Sequence, residues 1–220
     1  MRFIIHELSY ERPLLAGRLR YERDGVPTGA VESWRLTSAS DGFRFLRVDL
    51  DAREAPSGRS YLYHVTLNPA GLPEQIKYRL WGSGLEISGT AVWEGNEIIA
   101  ARKVNGEAYE DVARGTAFWF PAGAGLALLA VCVGETGGVT LVTDAQAATG
   151  LMAMIETTVD ITLEDPASEM IGNELLLVRP LNVAWGEQRR TVWLDSENRP
   201  IRLSRCDGLS ATAERLVRYG

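Results

Sequence analysis

Tyr61-Leu-Tyr-His-Val-Thr-Leu-Asn-Pro-Ala-Gly-Leu-Pro-Glu-Gln-Ile-Lys-Tyr-Arg-Leu-Trp81 holds two alternating runs around a turn. Tyr61, Tyr63, Val65 and Leu67 fall on one face of the first run, against Leu62, His64 and Thr66. Asn68-Pro69-Ala70-Gly71 puts Pro second and Gly fourth in a four-residue turn, where a fixed φ and a φ without a Cβ penalty are wanted. The return run sets Ile76, Tyr78 and Leu80 against Lys77, Arg79 and Trp81. A period of two on both sides of a turn predicts an antiparallel hairpin.

The same reading extends outward. Arg18–Arg23 and Val31–Leu36 alternate around Asp24-Gly25, which predicts an opening hairpin. Phe43–Asp51 places Leu46, Val48 and Leu50 on one face. Leu85–Trp93 sets Leu85, Ile87, Gly89, Ala91 and Trp93 inward, and Glu97–Val104 returns to the turn signal Asn105-Gly106. Gly89 and Ala91 leave room on that inward face for a bulky neighbour, a ligand or a strand bend. Ile155–Leu163 reads as one clean strand, Leu175–Val178 as a short strand ended by Pro180, and Arg190–Leu194 with Ile201–Arg205 as a last hairpin. Ser210–Tyr219 is a helical turn or a closing strand. Strands at short spacing with turns between them predict a mainly β protein. A curved antiparallel sheet would form a half-barrel or barrel with few short helices. The expectation is one domain over residues 1–220, with 43–205 the clearest part.

Two hairpins share a pattern. Val65-Thr66-Leu67-Asn68, four residues, then Pro73 is matched by Val192-Trp193-Leu194-Asp195, four residues, then Pro200. Asn or Asp opens the turn through its side chain, and Pro starts the return strand where no N–H donor is needed. This unit, repeated around a central aromatic-Pro-apolar segment, resembles the glycolipid-binding domains of bacteria. They are in turn similar to the lipoprotein-carrier superfamily. The resemblance spans about residues 43 to 205. It implies a curved half-barrel, an apolar cavity for acyl chains, and helices and loops plugging the open side, with Phe118–Val133 as the plug. It carries no catalytic residue over.

Phe118–Val133 (F-W-F-P-A-G-A-G-L-A-L-L-A-V-C-V) has no charged or polar side chain except the thiol of Cys132. Its sixteen residues, with Pro121, Gly123 and Gly125 in the first half, fall short of the ~20 apolar residues of a spanning helix. The segment is expected to line or fill the interior, with no stable membrane insertion.

Among 220 residues the formal net charge is −6, and basic residues are dispersed, which argues against a nucleic-acid partner. Cys132 and Cys206 form no disulfide framework and no metal spacing. His6, Glu7 and Glu11 interrupt the apolar run that a signal peptide needs, so a cytoplasmic location is expected. Only His6 and His64 exist, no phosphate-cradling or nucleophile-elbow motif is present, and neither a cofactor nor a metal is expected. The aromatic residues carry the functional lead. Trp81, Trp93, Phe118, Trp119 and Phe120 cluster around the middle hairpins, and Tyr63, Tyr78 and Arg79 supply polar groups at a cavity mouth. The expected function is binding of a lipid-like or other apolar small molecule without catalysis. The alternatives are a small enzyme with polar groups at that mouth, and a homo-oligomeric module that buries Phe118–Val133 against a second copy.

Overall fold

A computed structural model of the chain describes residues 7–56, 58–114, 118–119, 123, 127, 138–141, 152–171 and 173–220. The strands are β1 (Arg12–Arg23), β2 (Val26–Ser38), β3 (Arg44–Asp51), β4 (Ser60–Leu67), β5 (Pro73–Gly82), β6 (Leu85–Glu94), β7 (Glu97–Val104) and β8 (Glu107–Arg114). After them come β9 (Phe118–Trp119), β10 (Gly138–Leu141), β11 (Met154–Thr157), β12 (Asp160–Leu163) and β13 (Ala167–Ile171). The last four are β14 (Glu174–Trp185), β15 (Gln188–Leu194), β16 (Pro200–Arg205) and β17 (Leu209–Arg218). Among the described residues only Gly123 and Ala127 are helical.

One 14-stranded sheet runs β12-β14-β15-β16-β17-β1-β2-β3-β4-β5-β6-β7-β8, with β13 also on β14. All its pairings are antiparallel, as short hairpin connections require. The last strand pairs with the first, from Leu15↔Arg218 to Arg23↔Leu209, so β17 is the closing strand. The two ends of the sheet are β8 and β12. A small sheet, β11-β10-β9, adjoins both ends. Chain continuity ties it to β12, and the Glu156 carboxylate accepts from Arg114 N–H of β8 at 2.5 Å. The architecture is a mainly β, curved antiparallel sheet of the barrel kind.

The repeated hairpin has one geometry in both places. Leu67 pairs with Pro73 and Leu194 with Pro200, each just after a register shift. The Asn68 side chain accepts from Leu72 N–H, and Asp195 accepts from Glu197 and Arg199 N–H. Gly71 takes the left-handed φ of 89° that closes the first turn.

Two strand expectations are corrected. Ile155–Leu163 is divided: β11 pairs with β10, and β12 pairs with β14. The alternation persists across Thr158-Val159, because side-chain phase does not record which partner the backbone takes. Pro180 does not end a strand; it lies inside β14. Its carbonyl accepts from Glu164 N–H, so its ring nitrogen faces the same edge. There the partner bulges, the three residues between Leu163 and Ala167 passing the two between Leu181 and Val178, and no donor is called for.

The inward faces build one hydrophobic core with members from Leu19 of β1 to Ala211 of β17. On β4 and β5 it takes Tyr63, Val65, Leu67, Ile76, Tyr78 and Leu80, the phases that alternation predicts. Gly123 is buried and Ala127 packs against this core, which sets two residues of Phe118–Val133 in the interior. The remainder of that segment lies outside the described residues, apart from the backbone of Phe118 and Trp119.

Candidate functional site

The register pairs align a single row across the inner face of eight strands. It runs Gly17, Trp34, Val48, Tyr63, Tyr78, Gly89, Arg102, Tyr109. Trp34, Val48, Tyr63, Tyr78 and Arg102 are buried; Tyr109, on the end strand β8, is exposed. The row therefore leads from deep in the sheet to its end strand.

Its two glycines face aromatic rings. A Cβ on Gly17 would sit 2.5 Å from the Trp34 indole, and one on Gly89 would sit 2.5 Å from the Tyr78 ring and hydroxyl. Both rings thus lie flat over a neighbouring strand instead of standing up from the sheet. Of the explanations open for Gly89, the bulky neighbour is the one observed.

The row carries polar atoms that the fold does not serve. Trp34 Nε1 and Tyr78 OH are buried and have no hydrogen-bond partner among the described residues. Burial pushes the Tyr78 phenol up to about 12, with Arg102 acting weakly in the opposite sense. Burial likewise raises Tyr63 well above the usual tyrosine range. Arg102 forms an ion pair with Asp111 and lies 5.0 Å over the Tyr109 ring.

One register step away is Glu32, fully buried. Its carboxylate accepts from Tyr21 OH at 2.7 Å, Tyr61 OH at 3.3 Å and Gly123 N–H at 3.1 Å. The last contact ties the Phe118–Val133 segment to the wall. Tyr21 and Tyr61 are both held well above the usual tyrosine range, chiefly by burial. Arg190 is also buried and stacks 5.0 Å over Trp185. Burial lowers its guanidinium to about 10, and Arg205 adds to the effect. The interior wall is thus apolar with a few placed polar groups, the general makeup of a small-molecule site.

The predicted residues separate by phase. Tyr63 and Tyr78 are direct neighbours in the row, and Trp93 packs against the same core from β6. Arg79 and Trp81 alternate out of phase with Tyr78 and lie on the outer face, where Arg79 pairs with Glu86 at 2.6 Å. Phe118 and Trp119 form β9 by backbone; Phe120 lies outside the described residues. Sequence reasoning missed Trp34, Glu32, Arg102 and Arg190. The signal was present: Glu32 shares the phase of Trp34, Arg102 that of Ile98 and Ala100, and Arg190 that of Val192 and Leu194.

Two further features lie on the outer face. A groove of about 360 Å³ is lined by polar groups including Asp160, Thr162, Asn182, Arg189, Thr191 and Ser204. A buried cluster joins Glu11 to Arg47, whose guanidinium donates twice, at 2.7 and 2.8 Å, and to Thr37. Beside it, His64 stands 6.0 Å from Phe45. Its pKa falls to about 4, first through burial and then through Arg47.

No protein-family model matches the chain, and no curated protein does. Among solved structures it is similar to a β-barrel-like protein of Brucella abortus, from a domain of unknown function, DUF1849. The TM-score is 0.54 at 14% identity, over 94% of this chain and 98% of that one. The likeness is one of fold. It agrees with the barrel that the hairpin resemblance implies.

Proposed function

We propose that the protein binds a lipid-like ligand inside its curved sheet, without catalysis. The observation that carries this reading is the flat posture of Trp34 and Tyr78 over Gly17 and Gly89. A solid core fills its volume by projecting large side chains inward. Here two of the largest inward side chains are folded down onto the wall, which widens the space above it. The barrel fold and the long apolar inner face support the same reading. The glycolipid-binding and carrier resemblance points to acyl chains as the occupant. Among the described residues no helix is long and apolar enough to cross a membrane.

Native mass spectrometry after purification without detergent tests this. The expected spectrum contains a ligand-bound species heavier than the polypeptide by the mass of a lipid. Bare polypeptide that also takes up no lipid from mixed vesicles would overturn the reading.

A second reading is an oligomer, but one formed through the β13–β14 hairpin and not through Phe118–Val133. Met170, Leu175 and Leu177 are exposed there, and Met170 pairs directly with Leu175. It predicts a dimer by analytical ultracentrifugation that Leu175→Lys with Leu177→Lys dissociates. A wild-type monomer at high concentration removes it.

A further inference from the structure

Trp34 and Tyr78 are each more than nine-tenths buried, at 5% and 4% exposure, and Trp34 Nε1 and Tyr78 OH find no hydrogen-bond partner among the described residues. A buried donor left unserved is destabilising. Phe at either place would carry no such cost. The flat posture fixes where the two groups lie, over Gly17 and Gly89 on the interior wall. An indole N–H can only donate, so the missing partner at Trp34 is an acceptor.

Charge narrows the class. The interior guanidiniums have company: Arg102 pairs with Asp111, and Arg190 stacks on Trp185. The Glu32 carboxylate already takes three donors. The unserved donors of the row are therefore Trp34 Nε1, Tyr78 OH and the Nε–H of Arg102, whose charge Asp111 already balances. A buried anion facing two neutral donors and an already balanced guanidinium is costly, whereas a neutral oxygen is served by one hydrogen bond. The neutral donors stand on β2 and β5, three strand spacings apart, or roughly 14 Å along an unrolled sheet. Curvature shortens the span, and acceptor oxygens at two places on one ligand meet both.

We propose that the interior selects a neutral lipid whose ester or hydroxyl oxygens accept hydrogen bonds from Trp34 Nε1 and Tyr78 OH, in preference to a free fatty acid. This rests on the ligand-binding reading above and names its ligand class.

Titration calorimetry with 1-monolauroylglycerol and with laurate, on the full chain, tests it. The expected wild-type result is tighter binding of the glycerol ester, by roughly tenfold. Tyr78→Phe and Trp34→Phe each weaken the ester by about the same factor and leave laurate unchanged. Tyr78→Phe also keeps the ligand-free melting temperature at or above wild type, which separates a lost ligand contact from lost folding. Laurate binding as tightly as the ester, or both variants binding the ester like wild type, overturns the neutral-lipid assignment and leaves ligand binding standing. Failure of both lipids to bind overturns ligand binding itself.

Discussion

Strands β2 and β3 bury polar groups on both faces, and the Glu11 carboxylate outside contrasts with the aromatic donors inside. On the outside, Glu11 receives two hydrogen bonds from Arg47 and one each from Thr37 and Leu8 N–H. On the inside, Trp34 Nε1 has no hydrogen-bond partner among the described residues, and neither has Tyr78 OH farther along the same row. Among the described residues Arg47 Nε and His64 Nε2 are unserved outside and Glu32 is served inside, so the contrast is between the Glu11 carboxylate and the donors of the inner row. The outer cluster has the arrangement of a structural clamp that fixes the chain ahead of β1 to the sheet. The inner row has the arrangement of a surface that waits for something else to complete it.

The largest expected effect breaks the clamp. Glu11→Ala strands the Arg47 guanidinium, 7% exposed, and should lower stability by about 3 kcal/mol in urea unfolding. Replacing both partners, Glu11→Leu with Arg47→Met, should recover most of that loss. Neither change should alter lipid binding. If Glu11→Ala abolished binding at full stability, the division between the faces would be wrong.

Next comes Gly89→Ala. Its methyl would enter the Tyr78 ring, forcing the ring up from the wall at a cost of about 2 kcal/mol. In a Tyr78→Leu background the same substitution should cost much less, and a double-mutant cycle in thermal melts measures the coupling.

A smaller effect follows pH. His64 has its folded pKa depressed from 6.5 to about 4, by burial first. The unfolded chain therefore binds the proton more readily, and stability falls as pH drops from 6.5 toward 4. For Glu11, burial alone would raise the pKa from 4.5, but the bonds from Arg47, Thr37 and Leu8 outweigh it and the value is lowered. Its contribution is present above 4.5 and is lost as pH falls through the folded value. Melting temperature should thus decline below pH 6.5, and His64→Phe should flatten the part between 6.5 and 4.5. An unchanged slope in that variant would remove His64 from the account.

The smallest effect is on the inner row. Tyr78→Phe, without ligand, should be neutral or stabilising by up to about 1 kcal/mol, since it deletes an unserved hydroxyl. A clear destabilisation would mean the hydroxyl is structural after all.

The strands and their faces were legible because a period of two is written directly in the side chains. Val65, Ile76 and Leu80 point where their alternation says. Even the repeated turn was readable, down to Pro73 and Pro200 beside matching register shifts. What alternation cannot carry is pairing. It gives no sign that Met154–Thr157 and Asp160–Leu163 serve different sheets, nor that a bulge lets Pro180 sit inside β14. The row is a product of register across eight strands, so Trp34 and Tyr78, 44 positions apart, could not be joined by reading along the chain. Glu32, Arg102 and Arg190 were hidden differently. Their phase was inward, but a charge on a strand is ordinarily taken as solvent-facing. Arg79 and Trp81 show the converse: chemistry suggested a cavity mouth while phase set them outside.

The central claim is that a ligand lies against the inner row. Nuclear Overhauser contacts between uniformly carbon-13-labelled 1-monolauroylglycerol and the protein's aromatic protons test it most directly. The account predicts contacts to the rings of Trp34, Tyr63 and Tyr78. Contacts confined to the outer groove at Asn182 and Thr191, or to the exposed Leu175 and Leu177, would contradict it.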